Sequence, residues 1–183
     1  MFIRFFAIVL LIILIPLFFV FSLVIYIEDG LPIFYKQKRF GINNSFFIIY
    51  KFRTMKLTTP NVASHLLSTP EKYLLKSGNI LRKFSFDELP NLINIIKGDM
   101  VFIGPRPALY NQMDLILLRK ASGIIKYKPG ITGWAQINGR DEISIEEKVQ
   151  FEIEYLERKS IIFDLKILLN TFINTIKQKG ITH

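Results

Sequence analysis

From Phe5 to Ile27 the chain has no charged residue and consists mostly of Leu, Ile, Val and Phe. With no polar positions to alternate against, this pattern predicts a helix in an apolar solvent. As a straight helix it is roughly 35 Å long, enough for a bilayer core of about 30 Å. Pro16 lies near its middle, removes a backbone donor and clashes with the carbonyl of Ile12, which predicts a break or kink. Two half-helices of about eleven residues would then enter and leave the membrane on one face. A signal peptide is disfavoured, because Glu28-Asp29-Gly30 comes where a small-residue cleavage site would stand. Lys36, Lys38 and Arg39 close behind the segment place the region after it in the cytoplasm.

Beyond this segment the periodicity changes. Leu31 to Gln37 and Phe46 to Arg53 read as strands joined through Gly41-Ile42-Asn43-Asn44, a β-hairpin. Lys51 and Arg53, two apart, share a face that is either a basic edge of an active site or merely solvated. Lys56 to Ser68 has no period and reads as a surface loop, and Thr69-Pro70 opens a short helix. Leu92, Ile93, Ile95 and Ile96 form a helical run closed by Gly98, and Tyr110 to Ile125 is a further helix. Ser144 with Glu147 starts another, carrying Ile145, Val149, Ile153 and Leu156 on one stripe. The last helix spaces Leu165, Leu168, Leu169, Phe172, Ile173 and Ile176 on one face, edged by Lys166, Lys177 and Lys179. That stripe either packs in the core or lies among lipid headgroups.

With 183 residues, half of them apolar, one domain is expected, and no internal repeat is present. A formal net charge of +9 admits nucleic acid, anionic lipid or a phosphorylated substrate as partner. Nucleic acid is disfavoured, because the aromatics sit in apolar runs and no recognition motif occurs. The absence of cysteine excludes disulfides and thiolate metal sites. His65 and His183 stand alone without zinc-ligand spacing.

The candidate chemistry is concentrated between Arg82 and Pro107. Asp87 and Glu88 are adjacent carboxylates flanked by Arg82 and Arg106, and they precede Pro90 and the apolar run Leu92 to Ile96. At a helix N-terminus, backbone N–H groups and the helix dipole favour a charged carboxylate and attract phosphate. Arginine offers phosphate oxygens a fork that lysine does not. A plainer reading has Ser85 and Glu88 as a capping box and Asp87 as a helix charge. Against it, Pro105-Arg106-Pro107 fixes two φ angles around one arginine and so fixes where its charge points. Lys128 to Arg140 is turn-rich, and its glycines allow close backbone approach to a ligand. Neither a GxGxxG nor a P-loop is present.

Taken in order, several landmarks resemble the small monotopic phosphoglycosyl transferases, the bacterial sugar transferase family that starts glycan assembly on a polyprenyl carrier. They are Pro16, Tyr50-Lys-Phe-Arg-Thr-Met55, Phe86-Asp-Glu-Leu-Pro90, Lys97-Gly-Asp-Met100, Gly104-Pro-Arg-Pro107, Pro129-Gly-Ile-Thr-Gly133 and Gln136-Ile-Asn-Gly-Arg140. The resemblance covers nearly the whole chain and looks like the family's minimal catalytic form. It implies an α+β fold with a proline-broken re-entrant membrane helix over 1–29, and a cytoplasmic-face catalytic domain over 30–183 built from a small β-hairpin and amphipathic helices at the membrane surface. The implied reaction passes a phosphosugar from a UDP-sugar to undecaprenyl phosphate with release of UMP, at the cytoplasmic face of the bacterial inner membrane. This is the first membrane step of surface glycan assembly, whether O-antigen, capsule or glycoprotein glycan.

By similarity Asp87 is the nucleophile, Mg²⁺ sits at Asp87 and Glu88, and Arg82 and Arg106 lie near the phosphates. Lys51, Arg53, Gln136 and Arg140 are further substrate-binding candidates, with Thr132 to Arg140 holding the nucleotide. Expected partners are the UDP-sugar, undecaprenyl phosphate and inner-membrane lipids, with a homodimer left open and no nucleic acid. One departure is Ile15, where the family usually has serine before the membrane proline. The rival readings are a non-catalytic basic adaptor at the membrane surface, and direct transfer with Asp87 as a metal ligand only.

Overall fold

The computed structural model describes residues 2–60, 69–139 and 143–177. Arg140, Lys179, His65, His183 and the second half of the expected loop after Lys56 lie outside these.

Phe2–Asp29 forms one helix, α1, of 28 residues, which continues through Pro16. Of the expected break or kink at Pro16, the break is absent. Packing on both sides of the proline accounts for the difference. Leu10, Leu11 and Leu14 seat with buried Ala7 against Phe47, Ile49, Leu92, Ile95 and Met100. On the far side, Phe18 and Phe21 seat with buried Ile25 against Phe52, Leu75 and Leu81. A proline inside a helix costs about 3 kcal/mol, and burying a single large apolar side chain returns about 1.5–3 kcal/mol. Among the described residues, α1 is the one helix long and apolar enough to cross a membrane.

The hairpin forms as expected. β1 (Phe34–Phe40) and β2 (Phe46–Phe52) pair antiparallel, with Phe34 opposite Phe52 and Phe40 opposite Phe46. β1 starts three residues later than its pattern suggests. The carbonyls of Gly30 and Pro32 instead accept from the Arg53 guanidinium, at 2.6 and 2.7 Å. α2 (Lys76–Lys83) comes next, and its first two backbone N–H groups donate to Glu28 at the end of α1, at 2.5 and 3.1 Å.

A 3₁₀ segment (Phe86–Asn91) leads into α3 (Leu92–Lys97), which Gly98 closes at φ +90° as expected. Asn94 on α3 is fully buried. Its Nδ2 donates to Ile48 O at 2.7 Å and its Oδ1 accepts from Tyr50 N at 3.3 Å, tying α3 to the free edge of β2.

The sequence pattern does not disclose β3 (Val101–Ile103) and β4 (Gly130–Thr132), which pair in parallel across a connection containing α4 (Met113–Ala121). Strands of three residues are too short to show alternation. The short α5 (Trp134–Ile137) precedes α6 (Ile145–Arg158), where Ser144 and Glu147 form the expected capping box. The stripe of α6 packs on α4, and these two helices share a buried Arg119–Glu152 pair. α7 (Ile161–Lys177) buries Phe163 and Ile167. Its other stripe faces outward, with Leu165, Leu169 and Phe172 each at least 60 % exposed, so the core alternative for that stripe fails.

Candidate active site

The acid pair lies where β2, the 3₁₀ segment and the loop after β3 converge. Lys51 Nζ, near the end of β2, is 2.7 Å from Glu88 Oε1 and 3.8 Å from Asp87 Oδ2. Arg106 Nη2 lies 3.5 Å from the same Glu88 oxygen. Ser85 has φ +56° and makes no side-chain cap. The capping-box reading therefore fails, because the Ser85 side chain caps no backbone N–H, and the Glu88 carboxylate meets two cations.

Arg82 approaches from α2. Gly78 allows this: a Cβ there would stand 2.2 Å from the Thr54 carbonyl, so only glycine lets the helix lie against that backbone. One turn on, the same helix face presents Arg82, whose Nε donates to Thr54 Oγ1 at 2.9 Å. Burial draws the Arg82 guanidinium below its ordinary value and the charge of Asp87 opposes that shift, which sets the two groups in electrostatic contact. Three cations thus face two carboxylates, leaving a net positive charge suited to phosphate.

The Arg106 loop is held from two sides. Arg39 Nη1 donates to Pro107 O at 2.9 Å, and the Phe40 N–H donates to Ala108 O at 3.0 Å. On the other side, the Gly104 N–H donates to Thr132 O and the Gly130 N–H to Pro105 O, both at 2.9 Å. A Cβ on Gly130 would come within 2.2 Å of Gly104 N. The glycine expected to admit a ligand instead admits the neighbouring strand. Arg39 and Thr54 carry no sequence signal as site residues, since their partners lie 68 and 28 positions away and leave no local pattern.

Arg53 is not brought to the acid pair. It is buried, ion-paired with Asp29 and bonded to the carbonyls at the end of α1. Gln136 does line the site. Its Nε2 donates to Ile131 O at 2.9 Å, and its Oε1 is buried without a hydrogen-bond partner, a state that costs about 1–3 kcal/mol. A cleft of about 260 Å³ opens beside the acid pair, with Glu88, Arg106, Thr132 and Gln136 at its polar end and Leu10, Leu92, Phe102 and Ile131 among its apolar walls. Residues of α7 close it, so α1, the acid segment and the last helix all contribute to one cavity.

Known proteins match this chain in sequence. Residues 1–178 fit the profile of the bacterial sugar transferases. The chain is 42 % identical over 158 residues to the uncharacterized sugar transferase EpsL of Bacillus subtilis (strain 168), covering 86 % of this chain and 77 % of that protein. It is 37 % identical over 147 residues to the UDP-glucose:undecaprenyl-phosphate glucose-1-phosphate transferase of Escherichia coli (strain K12), covering 76 % of this chain and 32 % of that one. To the undecaprenyl-phosphate galactose phosphotransferase of Salmonella typhimurium it is 31 % identical over 171 residues, covering 84 % of this chain and 35 % of the relative. The chain thus spans about a third of the length of these last two. The match over residues 1–178, with these relatives, speaks against the non-catalytic adaptor: the chain is a transferase, and it belongs to the bacterial sugar transferase family.

Proposed function

We propose that this chain transfers a phosphosugar from a UDP-sugar to undecaprenyl phosphate, releasing UMP, by way of an aspartyl-phosphosugar on Asp87. The names of the Escherichia coli and Salmonella relatives support the lipid acceptor. The observation that carries the mechanism is the meeting of the acid pair with Lys51 and Arg106 beside the cleft. Glu88 is gripped at 2.7 Å by Lys51 and approached by Arg106, whereas Lys51 stands 3.8 Å from Asp87. Glu88 lines the cleft between Lys51 and Arg106, and Asp87, next to it in the chain, lies within reach of Lys51.

An Asp87 oxygen attacks the phosphorus that carries the sugar, the bond from that phosphorus to the UMP oxygen breaks, and UMP leaves with the electron pair. A phosphate oxygen of undecaprenyl phosphate then attacks the same phosphorus, the bond to Asp87 breaks, and the carboxylate is restored. Splitting the transfer lets a soluble and a lipid substrate use one site in turn. Arg106 and Arg82 neutralise the phosphate oxygens, without which an anion does not approach a diphosphate.

Among the described residues no group of three acidic or histidine side chains gathers to cage a metal. A pair of carboxylates nevertheless suits Mg²⁺, which takes one or two protein carboxylates and completes its shell from phosphates and water. Asp87 and Glu88 would hold it, and when bound it supplies further neutralisation of the diphosphate.

In this mechanism the site faces the cytoplasm at the inner membrane, with α1 re-entrant. In support, both ends of α1 are fastened to the same body: the Arg4 guanidinium occupies the space beside Gly98, and Glu28 caps α2. A helix that crossed the bilayer would carry one end away.

Exchange of labelled UMP into the UDP-sugar tests the covalent step. The enzyme with UDP-sugar and Mg²⁺ alone should catalyse it, and Asp87→Asn should abolish both exchange and labelling of the protein. Exchange that depends strictly on undecaprenyl phosphate, with no sugar phosphate trapped on Asp87, would establish direct transfer instead.

A further inference from the structure

The inward face of α7 is polar where it borders the cleft. Thr171, Asn174 and Thr175, three and four positions apart, lie on one side of an otherwise apolar helix and line the cavity shared with Glu88 and Arg106. Both hydroxyl protons are already committed, as is one of the two amide protons of Asn174. The Thr171 hydroxyl donates to Ile167 O at 2.8 Å, the Thr175 hydroxyl to Thr171 O at 2.9 Å, and Asn174 Nδ2 to Ile137 O at 3.2 Å. Thr132 Oγ1 lies 2.7 Å from Thr171 Oγ1. A hydroxyl has one proton, so with that of Thr171 on Ile167 O, Thr132 is the donor in this contact. What the wall has left to offer is acceptor oxygen, to which Gln136 adds its unpartnered Oε1, together with the second amide proton of Asn174 and of Gln136.

A wall of oxygens with two amide N–H groups suits a ligand whose hydroxyls both donate and accept. Of the parts of a UDP-sugar, the diphosphate has only acceptors at neutral pH, and the uracil edge has one N–H between two carbonyls. Hydroxyls sit on the ribose as one neighbouring pair and on the hexose as a longer run, and the hexose is bonded directly to the phosphorus that Asp87 attacks, which brings it to the cavity that Glu88 and Arg106 share with this wall. We propose that this wall reads the hydroxyl groups of the transferred sugar, with Asn174 and Thr175 as specificity-determining residues. The proposal rests on the UDP-sugar reaction above and assigns Gln136 to the sugar rather than to the nucleotide.

The test compares UDP-glucose, UDP-galactose and single-deoxy analogues as donors for the unmutated enzyme, Thr175→Val, Thr175→Ser and Asn174→Leu. Removing one acceptor should lower kcat/KM roughly tenfold for the donor whose hydroxyl it reads, as loss of one hydrogen bond does. The analogue lacking that hydroxyl should be unaffected, inhibition by UMP should not change, and Thr175→Ser should restore discrimination. Equal losses for every donor, or weakened UMP inhibition, would overturn the assignment. A second arm titrates UDP-sugar and UDP into Asp87→Asn protein, which does not turn over. The affinity gained from the sugar should fall when Asn174→Leu or Thr175→Val is added, and its persistence would refute the wall whatever becomes of the covalent mechanism.

Discussion

Glu88 and Asp87 are chemically alike and adjacent, yet their surroundings separate them. Lys51 stands 2.7 Å from Glu88 and 3.8 Å from Asp87, and Arg106 approaches the same Glu88 oxygen. Arg106 has a fork geometry and a loop braced by Arg39 and by the neighbouring strand. Arg106→Lys keeps the charge and loses the paired contact, so kcat/KM should fall by about 1.5–3 kcal/mol of transition-state stabilisation, roughly ten- to a hundredfold. Steady-state UMP release checks this, with expression and membrane association as controls, and unchanged turnover would reduce Arg106 to a loop element. Arg106 and the acid pair are visible in sequence because all three lie within one short stretch. The place of Arg53 is not, because alternation along a strand tells which face a side chain takes and not which partner waits there.

Helix α6 holds two further tests. Its Glu152 and Arg119 of α4 are paired and almost fully buried. Arg119→Ala would leave the carboxylate buried without its cation, at a cost of about 3–5 kcal/mol, whereas Arg119→Met with Glu152→Leu should be close to neutral. Thermal unfolding in detergent distinguishes these outcomes, and equal loss in both variants would contradict them. On the opposite side of α6, Glu154 accepts from the indole N–H of Trp134 at 2.7 Å. That hydrogen bond, assisted by Arg158, holds the Glu154 carboxyl below the usual carboxylate range. Its contribution to stability is therefore present above the unfolded carboxylate pKa and is lost as pH falls through the lowered folded value. Trp134 is the chain's single tryptophan, so an acid titration of its fluorescence should report this step. Glu154→Gln should remove it, and an unchanged titration in that variant would assign the signal elsewhere.

The whole molecule is organised around α1. Its N-terminal half completes one core cluster, its C-terminal half completes another, and Leu10 reaches the wall of the cleft beside Glu88. A membrane helix that also forms part of the site would bring a lipid-borne phosphate and a soluble nucleotide sugar to one place. If α1 is re-entrant, tags at residue 1 and residue 183 should both be labelled only from the cytoplasm. Periplasmic labelling of the N-terminal tag would show a spanning helix instead. Outward-facing Ile161, Ile162, Leu165 and Phe172 on α7 add a second apolar surface, one that the same membrane would cover.

Sequence alone determined the apolar N-terminal helix, the hairpin, the capping box of α6 and the juxtaposition of two acids with two arginines. Each is encoded by neighbours in the chain: hydrophobic runs, strand alternation, cap spacing and prolines around Arg106. Only the tertiary structure decided that α1 stays continuous through Pro16, because the packing that holds its two halves comes from residues up to 100. It likewise decided that Lys51 pairs with the acids while Arg53 turns to Asp29, and that the glycines of β4 admit a strand. The polar face of α7 acquires its meaning only across the cleft from the acid segment, since contacts between distant positions leave no period in the sequence to read.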